Sequence, residues 1–281
     1  MIYAHEIPKG SRLYFGKTAK LKRELESKIS DILYSNNFEE IVTPNFSYSQ
    51  HQSIEDEKKL ISFSDIQNNQ VSLRADSSLD VVRIITKRLG RTTKHKKWFY
   101  IQPIFSYPSK EQYQIGCEWI DHDNISDILN LTADILKSIN VQPILQLSNI
   151  NIPKLVAKEL KIDIELFKNG EIAQLFDLDI PWLNSLIRVK SIEDLKQSIL
   201  FVPSEIKIHL EKLLNTASQI EYDNLVIAPL YHGSLKYYDD VYFRVIHNNF
   251  VICKGGKYSD DGISSLGFAL YTDNLLKILE D

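Results

Sequence analysis

Acidic, amide and tyrosine side chains stand in several short stretches whose chemistry suits the recognition of a small polar ligand. In QYQIGCEW, Gln114, Gly116 and Glu118 alternate with apolar residues, so they share one face of a predicted strand. The stretch LRAD ends in Asp76, and a carboxylate can hold an ammonium group through a charge-assisted hydrogen bond. Near the C-terminus, the adjacent tyrosines Tyr237 and Tyr238 lie at the mouth of a predicted sheet, and Tyr258 follows a Gly-Gly bend.

Each of these stretches also has an ordinary structural explanation. The polar face of 114–118 could be the outward face of a half-buried strand. Asp76 and Ser77 stand where a helix begins, so either could be an N-cap. Tyrosines in strands usually pack in the core or in a wall, and Tyr258 could pack against the Gly255-Gly256 bend. From the residues alone, the structural explanation is favoured for Asp76 and for the face of 114–118.

The C-terminal fifty residues are predicted to form an antiparallel layer closed by a helix. Residues 241–246 and 250–253 are rich in β-branched and aromatic side chains, and the Asn-rich turn at 247–249 joins them as a hairpin. The apolar run 265–270 predicts a third strand, which leads into a helix ending near Leu279. These elements place the tyrosines at the mouth of a small sheet.

Upstream, apolar periodicity and turn residues predict alternating helices and strands. Helices are expected over 17–36, 77–89 and 123–140, and strands over 38–42, 59–63, 70–74, 98–105, 112–120, 143–147 and 225–228. Between 149 and 223 the pattern changes to short helices, with Ser191 and Asp194 spaced as a helix cap. The fold class that follows is α+β.

Composition and charge narrow the class of protein. The 281 residues are 43% hydrophobic and 25% charged, as in ordinary globular proteins, and the net charge of -4 gives no general attraction to nucleic acid or membranes. No apolar run approaches the roughly 20 residues needed to span a bilayer, and the first residues lack the form of a signal peptide, so we expect a cytoplasmic protein. Cys117 and Cys253 are predicted to be buried thiols, and neither a metal nor a cofactor is expected.

The densest positive charge lies in residues 88–97, RLGRTTKHKK. Such a run can be a solvated turn, a nucleic-acid footprint or a contact with an acidic partner subunit. In an acidic chain it is not assigned to RNA, and tRNA is not expected as a partner.

Taken in order, several stretches resemble the signature regions of histidyl-tRNA synthetase, a class II aminoacyl-tRNA synthetase. IPKGSR, LRADSSLDVVR and QYQIGCEW resemble P-x-G-x-R, L-R-P-E-G-T-A-x-x-x-R and E-F-x-Q-x-G-x-E. YYDDVYF, GGKYS and LGFALYTDNLL resemble Y-Y-T-G-x-x-F, G-G-R-Y-D and G-F-A-x-G-x-x-R-L. The resemblance implies a class II synthetase-like antiparallel sheet flanked by helices. It also implies one domain over 1–281, with 149–223 as a helical insertion and no anticodon-binding domain.

By position, the resemblance implies a set of candidate histidine-binding residues: Asp76, Gln114, Glu118, Tyr237, Tyr238 and Tyr258. It also implies lost ATP-binding arginines, since Ser106 and Asn274 stand in their places and Gly233 stands where a third, catalytic arginine is expected. Fixed cations stabilise charge that develops on phosphate groups, and losing one such contact costs on the order of a hundredfold in rate. We therefore expect no aminoacylation and no catalytic residue.

A class II synthetase-like chain that lacks the phosphate-binding arginines is similar to the regulatory-subunit family of short-form ATP phosphoribosyltransferase. That resemblance implies a hetero-oligomer with a catalytic subunit, in which this chain activates the first step of histidine biosynthesis and takes part in feedback inhibition by histidine. Residues 17–44 resemble motif 1, the dimer interface of class II synthetases, so self-association as a dimer is expected. The alternatives are a diverged amino-acid activating enzyme that still forms an acyl-adenylate, and an RNA-binding relic of a synthetase.

Overall fold

A computed structural model describes residues 6–51, 57–233, 238–260 and 262–280. The helices are α1 (Gly16–Ser35), α2 (Ser78–Arg83), α3 (Ile125–Ser138), α4 (Asn151–Leu160), α5 (Glu165–Lys168), α6 (Pro181–Ile187), α7 (Ile192–Ser198), α8 (Ser204–Ala217) and α9 (Thr272–Glu280). The strands are β1 (Glu39–Glu40), β2 (Phe46–Tyr48), β3 (Ser62–Ser64), β4 (Gln70–Leu73), β5 (Lys97–Ser106), β6 (Lys110–Ile120), β7 (Ile144–Asn149), β8 (Leu225–Ile227), β9 (Tyr238–His247), β10 (Phe250–Asp260) and β11 (Ile263–Tyr271). The chain forms two compact units, the first spanning Met1–Asp121 and Gly267–Asp281 and the second His122–Leu266.

Two sheets and the helices α1, α2 and α9 build the first unit. In its larger sheet the strand order is β1, β5, β6 and, from residue 267 on, β11, with β1 parallel to β5 and β5 antiparallel to β6. The β5–β6 hairpin pairs from Lys97 opposite Trp119 to Ser106 opposite Lys110, which leaves a short turn. A smaller antiparallel sheet has the order β2, β4, β3.

Apolar spacing explains the long helix of this unit. Leu25, Ile29 and Leu33 recur every four residues along α1, and all three are buried. This spacing places the three side chains on one face of a helix, which packs against the core. The helix predicted over 17–36 is confirmed.

The second unit combines a mixed sheet with most of the helices. Its strand order is β11 as far as Leu266, then β10, β9, β7 and β8, with β9 antiparallel to both β10 and β7, and β7 parallel to β8. The helix α3 buries a stripe that includes Ile128 and Leu136. The helices α4 to α8 all lie within residues 149–223, and Ser191 and Asp194 form a capping box at the start of α7, as their spacing predicts.

The structure modifies two of the predicted elements. The strand expected over 38–42 contains only Glu39–Glu40, because Val42 is 79% exposed and its apolar side chain faces no core within its unit. The helix expected over 77–89 changes after Arg83 into a π-helical turn, Ile84–Leu89. The predicted hairpin of residues 241–246 and 250–253 is longer, since β9 and β10 pair from Phe250 opposite His247 to Tyr258 opposite Tyr238.

Two predictions about the whole chain can be compared with the described residues. Cys117 and Cys253 are buried free thiols, as expected. No helix within the described ranges is both long enough and apolar enough to cross a lipid bilayer. The α+β class is confirmed, and the division into one domain with an insertion stays a prediction.

Candidate functional site

Glu118 is the centre of a buried polar cluster in the first unit. The residue is 0% exposed in β6, and the Tyr100 hydroxyl donates to its Oε1 over 3.3 Å. Tyr100 lies on the neighbouring strand β5, where its hydroxyl is also 3.3 Å from Ser78 Oγ. Burial is the main cause that raises the pKa of Tyr100, and the charges of Glu118 and Asp76 add to it. Tyr100 is therefore a protonated donor at neutral pH. Because Glu118 is fully buried, the interpretation of 114–118 as an outward strand face is wrong for Glu118.

Two glycines make room for this pair of side chains. A Cβ atom on Gly116 would lie 2.4 Å from the Tyr100 ring, so the ring occupies the space above that glycine. A Cβ atom on Gly267 would lie 1.9 Å from Glu118 Oε2 and 2.7 Å from the Cys117 carbonyl oxygen. Real side chains do not approach so closely, so only glycine fits at either position without a shift of its neighbours. Sequence reasoning missed Tyr100, because its contact with Glu118 depends on the strand register.

Asp76 and Gln114 belong to the same unit. Asp76 Oδ1 accepts a hydrogen bond from the Leu79 N–H over 3.2 Å, so the predicted role at a helix N-terminus is confirmed. Gln114 is 6% exposed and faces Gln102 across the hairpin. Gln102 is bonded to Thr43, whereas the Gln114 side chain has no hydrogen bond to any residue that the structure describes. Its amide is therefore available to a ligand.

A buried arginine, which sequence reasoning also missed, anchors the segment before this cluster. Arg74 is 0% exposed and donates to the carbonyl oxygens of Thr43, Pro44 and Pro103 and to Asn45 Oδ1, at 2.7 to 3.1 Å. Burial lowers the pKa of Arg74 to about 10, so the side chain is still charged at neutral pH. The only signal in the sequence is its place beside Asp76 in LRAD.

Two positions that hold ATP-binding arginines in the synthetase family, according to the resemblance, are Ser106 and Asn274 in this chain, and both lie in the first unit. Ser106 stands at the end of β5, opposite the exposed Lys110. Asn274 lies in the first turn of α9, next to the buried carboxylate of Asp273. Asp273 accepts hydrogen bonds from the Tyr14 hydroxyl and the Tyr113 N–H, and Arg12 Nε lies 3.9 Å from it. The carboxylate of Asp273, which has its own partners, is thus next to Asn274, the position where a histidyl-tRNA synthetase is expected to hold an arginine.

The tyrosines of the second unit are enclosed wall residues. Tyr238 and Tyr258 are both buried and lie opposite each other on β9 and β10. Tyr238 stacks on Tyr242 with ring centroids 5.5 Å apart, and a Cβ atom on Gly256 would lie 2.9 Å from the Tyr238 ring. Tyr237, the other tyrosine assigned from the resemblance, falls outside the described residues.

Gly233 lies against a ring that fills the space of a side chain. A Cβ atom there would be 2.7 Å from the Tyr242 ring, whose hydroxyl donates to the Tyr231 carbonyl oxygen. The neighbouring His232 supplies no charge in its place, because burial, with the nearby Lys168 and Lys154, lowers its pKa. An arginine at position 233 would require Tyr242 to move. Within the described ranges, no group of three or more His, Cys, Asp or Glu side chains is placed to hold a metal ion.

The chain is similar to known proteins over nearly its whole length. The family model of histidyl-tRNA synthetase matches residues 14–275. An ATP phosphoribosyltransferase regulatory subunit of Wolinella succinogenes is 44% identical over 99% of this chain and 96% of its own, and one of Helicobacter hepaticus is 41% identical over 99% of both. A histidine–tRNA ligase of Methanococcus aeolicus is 28% identical over 98% of this chain and 76% of its own.

Solved structures show the same fold at low sequence identity. A crystal structure described as an ATP phosphoribosyltransferase regulatory subunit/histidyl-tRNA synthetase from Bacillus halodurans has a TM-score of 0.83 and 17% identity, covering 99% of this chain and 84% of that one. A histidine–tRNA ligase subunit from Alicyclobacillus acidocaldarius has a TM-score of 0.80 and 18% identity, covering 98% and 97%. The class II synthetase-like fold expected from the sequence is therefore confirmed.

Proposed function

We propose that this chain is the non-catalytic regulatory subunit of an ATP phosphoribosyltransferase. The chain belongs to the family of ATP phosphoribosyltransferase regulatory subunits. In this role it is required for the activity of a separate catalytic subunit and for inhibition of that activity by histidine, in the first step of histidine biosynthesis. The transferase chemistry, a glycosyl transfer, belongs to the partner.

One observation carries the non-catalytic part of this proposal: uncharged residues stand where a histidyl-tRNA synthetase is expected to hold cations. In the first unit these residues are Ser106 and Asn274. In the second unit the Tyr242 ring fills the space above Gly233. Adenylate formation places negative charge on phosphorus and pyrophosphate, and that charge needs fixed cations. The chain retains the fold of the synthetase family but lacks the positive charges at these three positions.

The first unit supplies the chemistry for histidine recognition. The negative charges of Asp76 and Glu118 both raise the pKa of Tyr100, and the Tyr100 hydroxyl donates to Glu118. The side-chain amide of Gln114 is available to a ligand. Carboxylates favour a ligand that carries an ammonium group, as free histidine does. The tyrosines of the second unit stay predicted histidine contacts. For histidine to inhibit the partner, it must bind the active and inhibited states of the complex with different affinities.

Assay of a short-form catalytic subunit with and without this chain tests the proposal. We expect ATP phosphoribosyltransferase activity to appear in the mixture, and we expect histidine to inhibit it. Replacing Glu118 by glutamine keeps the side-chain volume but removes a charge, so it is expected to weaken inhibition about tenfold or more. Histidine-dependent exchange of pyrophosphate into ATP by the isolated chain would instead establish the amino-acid activating enzyme.

A groove in the first unit supports self-association as a dimer. It has a volume of about 890 Å³, and its lining joins the apolar residues Ile41, Val42 and Phe46 to charged residues that include Asp80 and Arg83. Val42 and Phe46 are 79% and 60% exposed, so one edge of the groove presents apolar side chains that a second copy of the chain would cover. The same segment resembles the dimer-forming motif 1 of class II synthetases.

We expect Val42→Glu to weaken the dimer about tenfold or more, because the new charge would be buried at the interface. Sedimentation equilibrium measures the dissociation constant. Ile208→Glu is the matched control, since Ile208 is 66% exposed on α8 of the second unit and is expected to leave the dimer intact. A Val42→Glu variant that dimerises like the parent chain would rule out this surface.

A further inference from the structure

Arg244 is held rigidly along one edge and is open along the other. Its Nε and Nη2 donate to Gln146 Oε1 over 3.3 and 2.9 Å, and its guanidinium carbon lies 3.7 Å from the centre of the Tyr231 ring. These contacts fix both the plane and the rotation of the group. Among the residues that the structure describes, no carboxylate pairs with Arg244 and its Nη1 makes no hydrogen bond. The edge formed by Nη1 and Nη2 is therefore free for a ligand with two acceptor oxygens.

A second cation stands directly opposite on the next strand. Lys254 of β10 pairs in register with Arg244 of β9, and both residues are half-buried. Like charges facing each other across two strands destabilise a sheet. Burial is the main cause that lowers the pKa of Lys254, and the charge of Arg244 lowers it further. Two cationic side chains thus face each other on neighbouring strands of the second unit.

The third member of this row is an amide with an unused donor. Gln146 of β7 pairs with Arg244 in register, is 8% exposed, and its Nε2 has no hydrogen-bond partner. Because Oε1 receives two hydrogen bonds from Arg244, exchanging the amide nitrogen and oxygen would point N–H groups at a cation. The orientation of the amide is therefore determined, and the row carries donor groups on three adjacent strands of the second unit.

We propose that Gln146, Arg244 and Lys254 form an oxyanion-binding site in which the free edge of the Arg244 guanidinium holds two oxygens of a carboxylate or phosphate group. The ammonium group of Lys254 adds charge at the same place, and the Gln146 amide keeps the guanidinium in position. None of the three residues is among those that the family resemblance assigns to histidine or ATP. The site is independent of the proposed regulatory role.

Thermal unfolding of the full chain at constant ionic strength tests the site. Inorganic phosphate and acetate, each at about 20 mM against sodium chloride, distinguish the two ligand sources, since a ligand that binds only the folded state raises the unfolding midpoint. We expect at least one of the two anions to raise the midpoint saturably. The variant Arg244→Gln should lose that effect, and Arg244→Lys should lose most of it, because lysine keeps the charge but not the planar pair of donors.

Two further variants separate binding from general charge effects. Lys254→Gln is expected to weaken the anion effect, because it removes one of the two positive charges that face each other on β9 and β10. Lys257→Gln is the matched control on the same strand: Lys257 has its own partner, Asp123 Oδ1, at 2.7 Å, so the anion effect should be unchanged. The proposal would be overturned if neither anion raised the unfolding midpoint saturably. It would also be overturned if the Arg244→Gln variant unfolded cooperatively and showed the same anion effect as the parent chain.

Discussion

Replacing Arg74 by methionine is expected to lower the free energy of unfolding by about 3–5 kcal/mol, the largest loss that we expect from a single substitution here. The Arg74 side chain is fully buried and donates to acceptors on four residues around it, among them the carbonyl oxygens of Thr43 and Pro103. Methionine fills much of the same volume but donates nothing. The carbonyl groups then lose a charged donor at a place where water cannot replace it.

Urea unfolding at pH 7 measures the Arg74→Met effect. The control is Arg23→Met, because the Arg23 side chain is 83% exposed and its removal should leave the unfolding free energy unchanged within error. Arg74 also holds Thr43 and Pro44, which line the groove proposed as the dimer surface, so Arg74→Met should weaken the dimer as well. Equal stability of Arg74→Met and the parent chain would show that these hydrogen bonds contribute no net stability.

The substitution Gly267→Ala is expected to cost about 2–3 kcal/mol of stability and to abolish histidine binding. The added Cβ would overlap Glu118 Oε2 at 1.9 Å and press on the Cys117 carbonyl oxygen at 2.7 Å. A side chain can rotate away, but a strand carbonyl cannot, so the two strands must separate locally. The buried carboxylate would then leave its position beside Tyr100.

Calorimetric titration with histidine and urea unfolding together test Gly267→Ala. Gly170→Ala is the control, because nothing lies within 4 Å of a Cβ atom there and its cost comes from the positive φ of 74°, about 1 kcal/mol. Glu118→Gln separates the charge from the clash, since it removes the charge without adding an atom. Wild-type histidine affinity in Gly267→Ala would exclude Glu118 from the binding site.

Local pattern was sufficient to predict most elements and the residue types of the candidate site. The four-residue spacing of Leu25, Ile29 and Leu33 predicts α1, and alternation along 112–120 predicts β6, because both periods follow from backbone geometry alone. Likewise, the identities of Ser106 and Asn274 depend on no coordinates. The sequence therefore already indicated that the family's cationic positions are altered.

Side-chain environment depended on contacts that are distant along the chain. Glu118 alternates with apolar residues as a surface residue would, yet it is fully buried because Tyr100 and the bare backbone of Gly267 cover it. The contact of Tyr242 with Gly233 and the hydrogen bonds of Arg74 to residues 43–45 likewise join residues that are distant along the chain or lie on different elements. Residue order alone was enough to predict most of the elements, the family and the altered cationic positions. Which polar groups are buried and which hydrogen-bond donors stay accessible follows from the folded chain, because burial and hydrogen bonding arise between strands whose register no local pattern specifies.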